Sequence, residues 1–576
     1  MVTELVKPRS FQAGGRQIEV GGPRPQLRER EKFIRYTSSI CPECYRLLPA
    51  VIFEREGAVH IRKVCPDHGE FEDVYWGDQE IYKKAMKFEV KGRGIYPPHT
   101  TLSAPCPFSC GICEAHWNTT ALANLVVTNR CNMDCWYCFF YAEKAGYVYE
   151  PTLEEIERMI DLMIEEKPAH GNAVQLTGGE PLLREDIVEI VRLLKRKGIT
   201  HIQLNTEGIV FLEKPWLMKE LREAGVNTIY LSFDGVTPVA NPKTHWEMPY
   251  ILDIARKSSM TSIVLVPTVI RGINDGEVGD IVKFAAYNMD VVRGVNFQPV
   301  SLTGRMPRDQ REKYRITIPD VIKRIEEQTD GQISREAWYP VPFTVPISQF
   351  IEAVTKKPKL TLTNHPACGM ATYVFPVFEK SDGVRKIKEF IPITDFVDVE
   401  GFYDFLSEKS REIMGGANRV LVLLKVISKL PSFIDKERQP PGIDLIKIIR
   451  NIMLRRNYHS LGEFHYRALF LGMMHFMDLY NYDVQRVIRC DIHYFSPDGR
   501  MIPFCTYNVI SDIYRDKVLR EHSMSFEEYE RKYGPGKVGP SMKYKRDIRK
   551  LESSEIYRKT YEPFLDKISS YRKATG

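Results

Sequence analysis

The sequence of 576 residues lacks long hydrophobic runs, strong net charge and any internal repeat at a fixed period. Its apolar stretches fall short of the ~18–20 residues of a membrane-spanning helix, which excludes an ordinary transmembrane protein. The basic N-terminal segment has no apolar core, so we expect no secretory signal. A net charge of +6 does not by itself indicate nucleic-acid binding. We therefore expect a cytoplasmic protein, with a peripheral position on the inner face of the membrane as the alternative, and no nucleic-acid partner.

Cysteine, by contrast, is present in closely spaced groups. Nine of the twelve cysteines fall between residues 41 and 138. Without an export signal a disulfide framework is not expected, and thiols at short spacing are better interpreted as metal ligands.

From residue 122 onward, apolar strands alternate with amphipathic helices. Six strand-then-helix repeats predict an α/β fold with a parallel sheet, which right-handed crossovers curl into a partial (β/α)6 barrel. The chemistry of such folds lies at the carboxyl ends of the strands. The predicted strands are Leu122–Thr128, Ala173–Thr177, His201–Asn205, Thr228–Ser232, Ser262–Val269 and Val295–Pro299.

The chain divides by composition into five segments. We predict a flexible basic arm (1–35), a rubredoxin-like or zinc-ribbon-like metal module (36–90), an auxiliary-cluster segment (91–120), the barrel (121–310), and a C-terminal auxiliary-cluster and apolar helical region (311–576). Within the last segment, residues 417–480 contain three apolar stretches that we interpret as helix-like.

The most specific motif is a C-x3-C-x2-C group in the loop after the first barrel strand, formed by Cys131, Cys135 and Cys138. Three thiolates on one loop can hold three irons of a 4Fe–4S cluster and leave the fourth iron open to a small molecule. The alternative is a zinc site that lacks its fourth ligand.

Polar residues also follow the later strands. Paired glycines let the backbone approach a ligand, and a carboxylate can bind an ammonium group, although a plain turn remains an alternative. The residues concerned are Gly178, Gly179, Glu180 and Pro181 at the end of the second strand, Asn205 at the end of the third, and Ser232 and Asp234 at the end of the fourth.

These motifs resemble the radical S-adenosylmethionine (SAM) superfamily over residues 120–300. The resemblance implies that Cys131, Cys135 and Cys138 ligate the catalytic 4Fe–4S cluster, and that SAM chelates its open iron. It implies that Gly179 and Glu180 help to hold the methionine end of SAM, and that the later strand-end residues contribute further contacts. It also implies that SAM is cleaved to a 5′-deoxyadenosyl radical, with electrons from a low-potential donor such as ferredoxin.

Two turns upstream can supply four tetrahedral ligands to one zinc or iron ion. They contain Cys41 and Cys44, and Cys65 and His68. We predict a mononuclear site; the alternative is that His68 lies on the surface and only three ligands remain.

A second three-thiolate group, Cys106, Cys110 and Cys113, looks like an auxiliary iron–sulfur cluster. Its fourth ligand could be His116 or a distant cysteine, and a second mononuclear site is the alternative.

The remaining cysteines are Cys368, Cys490 and Cys505. The segment between the last two resembles auxiliary-cluster domains, so we predict a further cluster, with Cys368 as a simple core residue as the alternative.

The architecture is similar to an archaeal family described both as a tetraether lipid synthase and as a 7,8-dihydro-6-hydroxymethylpterin methyltransferase. The first description implies joining the terminal carbons of two phytanyl chains of archaeal diether phospholipids. We expect this activity, because the apolar stretch 468–480 offers surface for lipid chains. Methylation of the pterin is the alternative.

A lipid substrate would require contact with a membrane. Two basic amphipathic patterns could provide it, and the alternative is that both helices pack inward. The apolar positions are Val420, Leu423, Leu424 and Ile427 in the first pattern, and Leu445, Ile448, Ile449 and Ile452 in the second, with Lys447, Arg450 and Arg455 off that stripe.

Overall fold

The structure, a computed structural model, describes residues 9–140, 145–381, 384–455 and 459–575. The strands are β1 Arg9–Ala13, β2 Arg16–Val20, β3 Lys32–Ile40, β4 Leu47–Arg55, β5 Ala58–Cys65, β6 Gly69–Trp76, β7 Leu122–Thr128, β8 Tyr147–Val148, β9 Ala173–Gly178, β10 His201–Thr206, β11 Thr228–Ser232, β12 Ile263–Val266, β13 Thr268–Val269, β14 Val292–Pro299, β15 Tyr339–Pro340, β16 Gly369–Ser381, β17 Val384–Pro392, β18 Leu469–Met474, β19 Ile492–Ser496, β20 Arg500–Pro503 and β21 Met524–Ser525.

The helices cover much of the remaining chain. They are α1 Gln79–Met86, α2 Leu153–Ile164, α3 Ile187–Arg196, α4 Val210–Glu213, α5 Pro215–Ala224, α6 Met248–Lys257, α7 Val278–Tyr287, α8 Arg311–Tyr314, α9 Ile318–Gln328, α10 Val345–Thr355, α11 Val399–Met414, α12 Arg419–Lys429, α13 Leu445–Arg455, α14 His459–Arg467, α15 Val484–Ile488, α16 Phe504–Val509, α17 Arg515–Glu521, α18 Phe526–Tyr533, α19 Ile548–Glu552, α20 Glu555–Tyr561 and α21 Leu565–Thr575. None of these helices is long and apolar enough to cross a membrane.

The chain forms two compact units. The first contains the residues up to Asn205, together with Pro299–Asp320 and His475–Lys545. The second contains Thr206–Gln298, Val321–Met474 and the residues from Arg546 onward.

The N-terminal part of the first unit is a sheet of order β1-β2-β4-β5-β6, with β3 beside β4. The β1–β2 hairpin lies within the segment that we expected to be a flexible arm. Ile18 of this hairpin is completely buried in an apolar cluster of the first unit, so residues 9–20 are held by an apolar contact. The first eight residues of the expected arm lie outside the described residues.

Both units contain the parallel strands of an α/β fold, so the predicted fold class is confirmed. In the first unit β10, β9, β7 and β19 are parallel neighbours, and β20 is antiparallel to β19. In the second unit β11, β12, β14 and β18 are parallel neighbours. The predicted strand Ser262–Val269 is interrupted at Pro267, because proline has no N–H to donate to a neighbouring strand.

The interpretation of the apolar stretch 468–480 as helix-like is wrong. Leu469–Met474 is the strand β18, which lies between β14 and β16. Leu469 and Leu471 are fully buried there. Periodicity does not separate a short apolar strand from a buried helix. These side chains belong to the core of the second unit and are not available as a lipid channel.

The helices α12 and α13 expose less apolar surface than the sequence patterns suggested. In α13, Leu445 and Ile448 are buried in a cluster with Phe375, which is the inward-packing alternative. The side chains of Ile452 and Arg455 lie outside the described residues. In α12 the apolar residues that remain exposed are Val420, Leu421 and Leu424. Membrane contact stays a prediction.

A buried ion-pair network connects three chain segments of the first unit. The Arg315 guanidinium is 3% exposed, 2.8 Å from Asp73 and also bonded to Asp478. We expect Arg315→Met to lower the free energy of unfolding by ~3–5 kcal/mol, because it leaves the fully buried Asp478 carboxylate without its arginine partner. Arg311→Met is the matched control: Arg311 is 29% exposed and 3.5 Å from Asp73, so its loss should cost no more than ~1 kcal/mol. Anaerobic urea denaturation measures both, and equal losses would contradict this account.

Candidate metal and catalytic sites

The loop that contains Cys131, Cys135 and Cys138 follows β7 in the first unit, and all three cysteines are half-buried. Two cations hold its backbone. Lys543 donates to the carbonyl oxygens of Cys131 and Met133, and Arg305 donates to that of Cys135 at 3.0 Å. The backbone N–H of Arg305 donates to the Cys138 carbonyl at 3.1 Å. Because these bonds occupy carbonyl oxygens, they fix the loop without using its thiols.

The glycine turn after β9 packs directly against this loop. A Cβ atom on Gly178 would lie 1.9 Å from the carbonyl oxygen of Thr128, and one on Gly179 would lie 2.0 Å from that of Arg130. The backbone N–H groups of Gly179 and Glu180 donate to the same two oxygens, at 2.9 and 2.7 Å. Only glycine permits this approach, so the turn and the cysteine loop form one rigid cradle.

The cradle fits the cofactors that the sequence implied. Three accessible thiols on one loop suit three irons of a 4Fe–4S cluster. Glycine at 178 and 179 lets the backbone of the turn pack directly against the loop that would carry the cluster. Glu180 is 1% exposed, and one of its carboxylate oxygens caps the turn by accepting from the N–H of Leu182 at 2.9 Å. Pro181 begins that turn and is buried.

The other expected SAM contacts have protein partners. In the first unit Asn205 donates to the Thr177 hydroxyl at 3.3 Å. In the second unit the Asp234 carboxylate accepts from the Thr268 N–H at 2.9 Å and lies 3.2 Å from the Lys243 ammonium. The carbonyl oxygen of Ser232 accepts from the Thr244 hydroxyl at 3.0 Å. Asp234 therefore fixes neighbouring backbone in its own unit, and its contact with SAM stays a prediction.

The four residues Cys41, Cys44, Cys65 and His68 meet at one point of the N-terminal sheet. Their ligand atoms all lie within 4.8 Å of one another. The Cys44 and Cys65 sulfurs are 3.9 Å apart, and the Cys65 sulfur is 3.5 Å from His68 Nδ1. A tetrahedral shell with metal–sulfur bonds of about 2.3 Å has ligand atoms ~3.5–3.8 Å apart. The donor set and its spacing fit one zinc or iron ion.

Cys106, Cys110 and Cys113 line a cavity of the first unit, together with His116 and Ile488. The hydrogen bond with Cys110, together with burial, raises the pKa of Cys106. The same hydrogen bond lowers the pKa of Cys110, although burial of Cys110 opposes this shift. Burial lowers the pKa of His116 to about 4, so its ring is neutral. His116 Nε2 lies 2.8 Å from the carbonyl oxygen of Cys490, so Nδ1 is the nitrogen that could ligate a metal.

Cys490 and Cys505 lie in the same unit as this cavity. Both pack against the hydrophobic cluster that contains Cys110. Tyr482 lies beside Cys110 and Cys505, and burial and these thiols raise its pKa well above the usual range. Cys368 belongs to the second unit, where its N–H donates to the His365 carbonyl at 2.8 Å. A cluster ligated by Cys368, Cys490 and Cys505 together stays a prediction.

Sequence reasoning missed the residues that hold the catalytic loop. Arg305 and Lys543 are separated from it by about 170 and 410 positions, and single basic residues carry no motif. It also missed Arg130, which is 2.7 Å from Glu150 and supports the start of the loop.

The glycine cradle predicts that a single methyl group at position 179 disables SAM cleavage. Gly179→Ala should lower the rate of 5′-deoxyadenosine formation about 100-fold, since misplacement by ~1 Å costs roughly that much. Its iron content should be unchanged. Gly276→Ala is the matched control, because nothing lies within 4 Å of that Cβ position. If the Gly179→Ala enzyme cleaves SAM at the wild-type rate, the close packing of this turn is not needed for SAM cleavage and the prediction is wrong.

The mononuclear site predicts a metal change confined to one ion. Cys44→Ala in the full chain should remove about one tightly bound zinc or iron per chain, because an open shell binds metal less tightly. Acid-labile sulfide should stay at the wild-type level. Metal analysis with a sulfide assay measures both, and loss of sulfide would instead indicate a cluster at this site.

Two family models match the chain. One, described as the radical SAM superfamily, matches residues 125–285, and the other, described as an HMPTM N-terminal zinc ribbon domain, matches residues 33–77. A 7,8-dihydro-6-hydroxymethylpterin dimethyltransferase of Methanocaldococcus jannaschii is 46% identical over 87% of this chain and 98% of its own length. A GTP 3′,8-cyclase of Lactiplantibacillus plantarum is 35% identical over 31% of this chain and 54% of its own, and the Arabidopsis thaliana mitochondrial cyclase is 30% identical over 30% and 45%.

These findings support SAM, a 4Fe–4S cluster and a further metal site as the cofactors. They also overturn the expected function. The relative matched over almost its whole length is named as a pterin dimethyltransferase, so the expectation of phytanyl-chain joining on a diether lipid is wrong. The chain is a radical SAM enzyme, and within that superfamily it belongs to the family of the Methanocaldococcus jannaschii protein.

Proposed function

We propose that the protein is a radical SAM methyltransferase that acts on 7,8-dihydro-6-hydroxymethylpterin. The observation that carries this proposal is the 46% identity to a pterin dimethyltransferase over 98% of that relative. A match over 87% of this chain extends well beyond residues 125–285, which the radical SAM family model matches.

The chain's own residues would hold and orient the reactants. Cys131, Cys135 and Cys138 would ligate the catalytic cluster, while Arg305 and Lys543 keep their loop in place. With SAM bound, such a cluster supplies a radical able to remove hydrogen from carbon. The protein contributes binding, orientation and exclusion of competing reactions.

The auxiliary cavity is a second part of this proposal. Cys106, Cys110 and Cys113 would hold an auxiliary cluster in the first unit, where Cys110 and Cys113 are buried and Cys106 is half-buried. Reduction would come from a low-potential donor such as ferredoxin, as we expected from the sequence.

Anaerobic incubation of the reconstituted enzyme with the pterin, SAM and dithionite tests the proposal. We expect one or two hydrogens of the pterin to be replaced by methyl groups, as read by liquid chromatography and mass spectrometry. The Cys131→Ala/Cys135→Ala/Cys138→Ala enzyme is the control, and it should leave the pterin unchanged while keeping its other metals. Wild-type enzyme that cleaves SAM but never alters the pterin would contradict the proposal.

A further inference from the structure

Three carboxamides form a hydrogen-bonded row across neighbouring strands of the first unit. Gln203 on β10 donates to Gln175 on β9 at 3.1 Å, and Gln175 donates to Asn124 on β7 at 2.8 Å. Asn124 in turn faces the carbonyl oxygen of His493 on β19 at 3.4 Å. Strand register places these residues side by side. We call Asn124, Gln175 and Gln203 the amide row.

The opposite face of the same strands is an ordinary apolar core. Val174, Leu176, Ile202 and Leu204 are fully buried there. The amide row therefore gives the other face a polar surface at the same level of the sheet. An alkyl chain would gain nothing from such a surface, because it cannot return the hydrogen bonds.

The row fixes the orientation of its middle member. A primary amide has two N–H donors and two oxygen lone pairs. Gln175 donates one N–H to Asn124 and accepts one N–H from Gln203. Among the described residues, the structure gives its second N–H and its second lone pair no protein partner. Gln175 is half-buried, whereas Asn124 is 1% and Gln203 6% exposed, so Gln175 is the member that a ligand can reach.

The position of Gln175 suits a substrate that lies against β9, on the N-terminal side of the glycine turn. It is three residues before the end of β9 at Gly178, which corresponds to ~10 Å along an extended strand. Asn205 and Thr177, bonded to each other, form the next polar pair toward that end.

We infer that Gln175 recognises the pyrimidinone ring of the pterin, with its carboxamide held in place by Gln203 and Asn124. The ring carries a donor, N3–H, next to an acceptor, the 4-oxo oxygen. One free N–H and one free lone pair on a fixed amide complement that pair. This inference rests on the proposed function, which supplies the pterin.

Isothermal titration of the SAM-bound enzyme with 7,8-dihydro-6-hydroxymethylpterin tests the inference. Gln175→Met keeps the side-chain length but removes both groups, so the affinity should fall ~10- to 100-fold for two lost hydrogen bonds. Gln203→Met is the matched control from the same row; it should weaken binding less, because the free groups of Gln175 remain. SAM cleavage without pterin should equal the wild-type rate in both variants.

The N3-methyl derivative of the pterin tests the same contact in the wild-type enzyme, because it lacks the N3–H donor. Wild-type enzyme should prefer the unmethylated pterin at least ~10-fold, and Gln175→Met should lose that preference. Wild type that binds both compounds equally, or a Gln175→Met enzyme with unchanged preference, overturns the role of Gln175 while pterin methylation stands. Wild type that neither binds nor methylates the pterin overturns the proposed function itself, and this inference with it.

Discussion

The carbonyl oxygens of Thr128 and Arg130 occupy the space where side chains at positions 178 and 179 would begin. The same two oxygens accept hydrogen bonds from the backbone N–H groups of Gly179 and Glu180 in that turn. The end of β9 and the start of the cysteine loop are therefore held at one separation. A radical reaction needs that constraint, because a cluster and its small-molecule ligand react only when their positions are fixed to a fraction of an ångström.

The rest of the first unit supports this fixed point through long-range contacts. The strand β19 returns late in the chain to lie beside β7, and it brings Cys490 next to His116. The Arg315 network joins the N-terminal module to the same return segment. Residues far apart in sequence thus place the mononuclear site, the auxiliary cavity and the catalytic loop in one compact unit, each with its own cysteines.

The sequence predicted what depends on short spacing. The cysteine groups, the glycine turn and the alternation of strands and helices are local patterns, and the predicted strands are all present. It could not predict β18, because an apolar run of six residues fits a strand or a helix equally well. The lipid substrate was favoured by the apolar surface of this run, and that surface is buried in the core.

Other features escaped because they exist only after folding. Lys543 and Arg305 meet the cysteine loop from distant segments. The amide row depends on the register of three strands, and nothing in the neighbours of Gln175 along the chain marks it.

We propose that the molecule that reacts with the 5′-deoxyadenosyl radical is a pterin and not a lipid. The most direct measurement compares the rate of 5′-deoxyadenosine formation by one enzyme preparation with the pterin, with an archaeal diether lipid in vesicles, and with neither. A substrate that gives a hydrogen atom to the 5′-deoxyadenosyl radical consumes it, and this raises the rate of net SAM cleavage. We predict that the pterin raises the rate above the substrate-free level and that the lipid does not. A rate raised by the lipid alone would contradict it.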